Sequence, residues 1–207
     1  RRARSIESAV ERSVDLLQKD RIEARWLGME SLVALTDIHT SGMHVSAHTS
    51  SLILGGMAND CSTTKSATPA WRTLVGFIQS DEPNEEVLHS LALRVLVNAF
   101  TVLSEHDPSS LERGLTNKAC FALYCSLVEQ AFSYSSTTHT AHDMALAVRS
   151  LRLMASHSTQ TMENLTALDM DSSILLNKAS QHAFLQTETN QVVALLSNPQ
   201  IIVCSNY

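Results

Sequence analysis

Nine histidines in 207 residues raise metal chemistry first. His44 and His48 stand four apart, a spacing that puts two imidazoles on one face of a helix, as zinc ligands require. In a zincin the general base is a Glu directly after the first His, and Val45 stands there instead. His139-x-x-His142-Asp143 is a second cluster, in or beside a Ser/Thr-rich stretch. A metal site also needs a third ligand and hydrogen-bonded support behind the ligands, which neither cluster supplies. The histidines are therefore expected on the surface or between helices, with no metal or cofactor. A histidine-based, metal-dependent hydrolase is the weakest of three functional readings.

Other catalytic arrangements are equally thin. Cys120-Phe121-Ala122-Leu123-Tyr124-Cys125 offers two thiols, but both read as small core residues of a buried helix. Glu85-Glu86 could pass for paired carboxylates, yet adjacent side chains on a helix diverge. As part of Asp81-Glu82-Pro83-Asn84-Glu85-Glu86 they mark a helix start, with Asn84 as cap and acids at the positive end of the dipole. There is no Gly-rich phosphate loop, nucleophile elbow or kinase signature. The seven methionines are spread along the chain, which fits core filling better than a binding groove.

The composition points to packed helices. Apolar residues make up 44% and charged residues 17%, while six Gly and four Pro are too few for a turn-rich β protein. Aromatics are sparse, so Leu, Val, Ala and Met must build the core. Net charge is −6 overall; residues 1–25 carry +2 and residues 26–207 carry −8. Duplex nucleic acid, which needs a basic footprint, is disfavoured as a partner. The four cysteines lack paired spacing and suggest reduced thiols in an intracellular protein, cytoplasmic or nuclear. No apolar run reaches the length of about 20 residues that spans a bilayer, so no membrane insertion is expected. Arg1-Arg2-Ala3-Arg4 is not followed by the apolar stretch of a signal peptide.

Periodicity places the elements. Ile6, Val10, Val14 and Leu17 predict a first amphipathic helix. Asp20 with Glu23 predicts a capped start for a second, carrying Ala24, Leu27, Leu32 and Leu35 to about Asp37. A third is expected from Val45 to Met57, then a polar loop over 59–68, and a short helix after Pro69 with Trp71, Leu74, Val75 and Ile78. The helix after Glu86 is apolar nearly all round and should be the most buried. Asp107-Pro108 ends it and opens the next. Residues 111–132 hold further helix, 133–139 a break, and about 142–156 a helix with Met144, Val148, Leu151 and Met154. Shorter amphipathic pieces follow at 162–168, 174–185 and 191–196, before an extended tail.

Three segments share a pattern: Gly28–Thr36, Ala92–Phe100 and Ala147–Ala155. In register, Gly28, Ala92 and Ala147 offer small surfaces for close helix approach. Leu32, Leu96 and Leu151 coincide, as do Leu35, Ala99 and Met154. Ala92-Leu93-Arg94-Val95-Leu96-Val97-Asn98-Ala99-Phe100 resembles the third helix of an armadillo repeat. The spacings of 64 and 55 residues exceed the usual repeat of about 40–47. The resemblance implies an all-α, armadillo/HEAT-like right-handed α-solenoid of irregular repeats, a fragment of a longer stack. Residues 1–207 would form one domain with units at about 5–58, 69–132 and 137–197 and a tail at 198–207.

In that family an Asn on the third helix helps hold a peptide backbone, and Asn98 matches that position. Ala34 and Leu153 occupy it in the other copies, and Arg94, Glu30 and Arg149 stand where Trp is frequent. A repeated Asn/Trp ladder is thus absent, and a folded domain or a short motif is the expected protein partner. Arg94, Asn98, Arg149 and Arg152 are the candidate contact residues. The expected function is a non-catalytic protein–protein scaffold or adaptor segment of a larger intracellular protein. The alternative is a regulatory helical module attached to an enzyme whose catalytic domain lies outside this segment.

Overall fold

The structure, a computed structural model, describes residues 2–58, 70–80, 82, 85–115, 123–128, 141–161, 163 and 190. Expectations for the loops at 59–68 and 133–139, for Asn84, for Cys120, and for nearly everything beyond 161 lie outside those residues. Every described element is a helix, as the composition required, and no strand occurs among the described residues. The chain divides into two compact units, 1–122 and 123–207.

The first unit contains α1 (Arg2–Leu17), α2 (Ile22–Thr36), α3 (Ile38–Ser41), α4 (Met43–Ala58), α5 (Ala70–Ile78), α6 (Glu86–His106) and α7 (Pro108–Leu115). α1 buries Ile6, Val10, Val14 and Leu17, the stripe its spacing predicts. A four-residue connection, residues 18–21, then folds α2 back against it. Gly28 makes this approach possible. A methyl group there would lie 2.6 Å from the Ser13 carbonyl oxygen and 3.0 Å from Leu16 Cβ. Because Gly28 must face α1, the buried stripe of α2 is Gly28, Met29, Leu32, Val33 and Thr36. The expected stripe is corrected accordingly: Leu27 is 52% exposed, and Ala24 and Leu35 are half-buried.

The start of α2 also departs from expectation. Asp20 does not cap it; Arg21 occupies the cap position and makes no side-chain capping bond. The carbonyl of Arg21 accepts from the amides of Ala24 and Arg25 instead, and Glu23 supplies the acid of the first turn. Asp37, expected at the end of α2, has a second task. Its carboxylate accepts from the His39 amide at 3.0 Å and from Thr40 Oγ1 at 2.9 Å, which starts α3. Those bonds, that from Thr40 foremost, hold its pKa below the ordinary carboxylate value. Gly42, at φ 79°, turns the chain into α4.

α6 packs against α2, α4, α5 and α7 and is the axis of the unit. Eleven of its residues are buried, as an apolar surface nearly all round requires, and its polar residues Arg94, Asn98 and Glu105 fall outside that buried set. It is also the one helix among the described residues long and apolar enough to cross a membrane, at mean hydropathy 1.6 over 18 residues, so the reading that no apolar stretch comes near that length is corrected. Yet 67% of that stretch is buried inside the protein, so its apolarity is used in the core. α5 buries Trp71, Leu74, Val75 and Ile78 as predicted. Asp107 closes α6 and opens α7: its carboxylate accepts from the Ser110 amide at 3.1 Å and from Ser110 Oγ. Pro108 sits in the first turn of α7, where a missing N–H costs nothing.

In the second unit residues 123–128 are helical, burying Leu123, Tyr124 and Leu127. Cys125 is exposed, correcting its expected place in the core, because it falls on the face opposite Leu123 and Leu127. α8 (Ala141–His157) buries Ala147, Val148, Leu151, Met154 and Ala155, while Met144 is half-buried.

Gly28→Ala should lower the unfolding free energy by about 1–3 kcal/mol, because the clash with α1 outweighs the gain of about 1 kcal/mol in helix propensity. At Gly76 an added methyl meets nothing within 4 Å, and at Gly114 its nearest neighbour, the Leu54 carbonyl oxygen, is at 3.7 Å. Alanine at either should be neutral or stabilising by up to about 1 kcal/mol in urea denaturation. Asp107→Ala should cost about 1 kcal/mol at neutral pH. Hydrogen bonding to Ser110, chiefly through its side chain, depresses the folded-state pKa of Asp107. Its contribution is therefore present above the unfolded-state value of about 3.9 and lost as pH falls through the lower folded-state value. Thermal melts of wild type and variant at falling pH should converge in acid.

Candidate functional site: the outward face of α2 and α6

Two polar contacts set how α2 lies against α6. At one end Arg25 Nη1 donates to Glu85 Oε1, an ion pair in which the glutamate side chain is 9% exposed and the arginine 27%. Ser80 Oγ donates to the other carboxylate oxygen at 2.7 Å, and Arg25 Nε donates to the Lys19 carbonyl at 2.7 Å. At the other end Asn98 Nδ2 donates to Thr36 Oγ1 at 3.4 Å. The start of α2 thus meets the start of α6, and the end of α2 meets a point thirteen residues beyond Glu85. The two helices run parallel.

Thr36 is the junction. Fully buried, it passes its hydroxyl hydrogen to the Leu32 carbonyl at 2.8 Å, receives Asn98, and through its own carbonyl accepts from Ser46 Oγ of α4. Ser41 Oγ donates to the Leu35 carbonyl at 3.0 Å. Serine hydroxyls therefore satisfy terminal carbonyls of α2 that the helix itself leaves open. In sequence these serines carry no signal, because their partners are backbone atoms.

The solvent-exposed residues of α2 and of α6 are mixed in character. α2 presents Ile22 (40% exposed), Trp26 (46%) and Leu27 (52%), with Glu23 exposed and Glu30 half-buried among them. α6 presents Val87 (59%) two residues after Glu85, then Arg94 one turn before Asn98. Arg94 is exposed and close enough to Asp37 to contribute to the low pKa of that carboxylate. Asn98 is half-buried and devotes one N–H to Thr36. Its first role is thus to join two helices, as buried polar groups usually do. Arg149 and Arg152 lie on α8 in the second unit, half-buried and each engaged by a neighbour, so they are not freely solvated side chains.

Sequence reading missed Trp26, Ile22 and Val87, and it placed Leu27 in the core. The available signal was excess: α2 has more apolar residues than one buried stripe can use. It also missed the pairing of Glu85, which looked like one more acid at a helix start. His139 of the second histidine cluster lies outside the described residues. His44 is exposed, and His48 Nε2 lies 3.9 Å from Glu7 Oε1. Among the described residues no group of three or more potential metal ligands comes together.

Arg25→Met would leave the Glu85 carboxylate at the α2–α6 contact without its cation. We expect a loss of about 1–3 kcal/mol. Adding Glu85→Gln should recover part of it. A double-mutant cycle in urea that gives additive losses would show that the pair is not energetically coupled.

No known family, curated protein or solved structure matches this chain.

Proposed function

We propose that this chain is a non-catalytic protein-interaction scaffold made of armadillo/HEAT-like helical units, with the outward face of α2 and α6 as its contact surface. One observation carries the reading. Two helices from segments of similar sequence pattern lie parallel and in contact, and α2 leaves three large apolar side chains in solvent. Parallel seating of equivalent helices is what a stack of repeats requires, since each unit can bury its apolar face only against the next. A right-handed solenoid continued by further units is the arrangement we infer from it. Rigid helices that expose aromatic and aliphatic anchors beside charged residues suit protein contact, where a few anchors supply most of the affinity. The cysteine spacing supports an intracellular setting.

Site-specific photocrosslinking in the native cell tests this. A photoreactive residue at position 26 or 94 should capture the same protein, and one at position 11, on the exposed side of α1, should not. With that protein purified, Trp26→Ala should weaken binding by about tenfold or more, the loss typical of an interfacial aromatic anchor. Capture from position 11 alone would place the contact surface elsewhere.

A further inference from the structure

We propose that the α2 face receives a cationic amphipathic segment of a partner protein, one that presents Lys or Arg around one or two large aliphatic residues. This inference rests on the contact surface argued above and adds the chemistry of what binds there.

The placement of charge on α2 carries it. Ile22 and Trp26 stand one turn apart, as do Glu23 and Leu27 and as do Trp26 and Glu30. The outward face is therefore an alternation of large apolar groups and carboxylates. Arg25, the neighbouring cation, is turned to Glu85 and away from this face. Neither Glu23 nor Glu30 makes an ion pair or side-chain hydrogen bond among the described residues. Glu23 has a local use at the positive end of the α2 dipole. Glu30, in mid-helix and half-buried, has none. An occupant that covers Trp26 and Leu27 would strip water from both carboxylates, and such a cover is favourable only if it brings positive charge. The net charge of −6 on the chain acts in the same direction over longer range, raising the encounter rate with a cationic partner.

The same charges argue against other occupants. A second copy of this chain, seated about a two-fold axis, would set Glu23 and Glu30 against their own equivalents. An anionic membrane surface is sought by helices whose polar flank is Lys and Arg, and here the flank is Glu.

The two tryptophans make the test direct. Trp26 is 46% exposed and Trp71 is 4% exposed, so a change in solvent-exposed tryptophan emission reports on α2. The full chain is titrated with two synthetic amphipathic peptides of identical aliphatic pattern, one with lysine at every polar-flank position and one with glutamate. The lysine peptide should bind saturably and shift the emission to the blue, and Trp26→Phe should abolish the shift. Glu23→Lys with Glu30→Lys should weaken binding about tenfold or more, and added salt should weaken it further. Glu11→Lys with Asp15→Lys, on the exposed side of α1, changes the net charge equally and should leave the affinity intact. Circular dichroism checks that both double variants keep their helix content.

Equal weakening by the two double variants would mean binding to the overall charge and would overturn the assignment to α2. Stronger binding of the glutamate peptide, or a blue shift on anionic phospholipid vesicles, would also overturn it. If neither peptide binds, the cationic-segment proposal falls. Crosslinking from position 26 then decides separately whether the face contacts protein.

Discussion

The contact of Arg25 with Glu85 fixes where α2 sits, and much of the first unit depends on it. The carboxylate lies at the entrance to α6, nearly buried, and accepts from a guanidinium on one oxygen and a serine hydroxyl on the other. A carboxylate so placed is costly unless its hydrogen bonds are filled. It therefore specifies position as well as adding attraction, because Ser80 holds the carboxylate from its own side and any sliding of α2 along α6 would carry Arg25 away from it. Thr36 repeats the arrangement at the far end with neutral groups, and there the tolerance is wider. A threonine hydroxyl can accept from Asn98 over a range of small displacements. One end of the contact is thus pinned by charge and the other guided by hydroxyl and amide.

Gly28 supplies the complementary constraint at the contact with α1. α1 comes so close that a backbone carbonyl occupies the space a side chain would need. α2 is consequently held between a steric stop on α1 and a polar clamp on α6. Its rotation about its own axis follows from those two contacts, not from where its apolar residues fall. That is why leucine and tryptophan end up outside while a threonine is buried. The rotation leaves Trp26 and Leu27 about half exposed, forgoing roughly 1 kcal/mol of burial each.

The helices themselves were legible because their evidence is local. Ile6, Val10, Val14 and Leu17 repeat at helical spacing, Pro108 opens a helix behind Asp107, and the continuous apolar run of α6 could only be a core element. The small residue at the head of each related segment was readable too: Gly28 admits α1, and Ala92 and Ala147 are fully buried. What stayed hidden depends on partners distant in sequence. Glu85 and Arg25 are 60 residues apart, and nothing in either neighbourhood marks one as the other's counter-ion. The outward placement of Trp26 depends on the rotation of α2, which Ser13 and Glu85 decide from outside the helix. Of the candidate contact residues, Arg94 and Asn98 fall at the α2–α6 pair, whereas Arg149 and Arg152 belong to the second unit. Alignment of segments reveals equivalent positions, but exposure has to be established for each copy.

An exposed tryptophan between two glutamates that form no ion pair among the described residues is an unusual use of a helix surface. A solvated face normally pairs its acids with lysine or arginine one turn away, which keeps the helix neutral and soluble. On α2 the nearest cation, Arg25, is committed to Glu85, and the positions one turn from Glu30 are Trp26 and Ala34. Lysine at either place would have neutralised the face at no cost to the core, since neither side chain belongs to the buried stripe. The arrangement therefore leaves two quantities unsatisfied at one place, apolar area and negative charge. A partner segment can satisfy both at once only if it carries aliphatic and cationic groups at matching intervals. Neutral apolar surface would bury the carboxylates unpaired, and a purely basic one would leave the indole in water. The pairing that keeps α2 in register with α6 is thus the same one that withdraws a cation from its outer face and gives that face its charge.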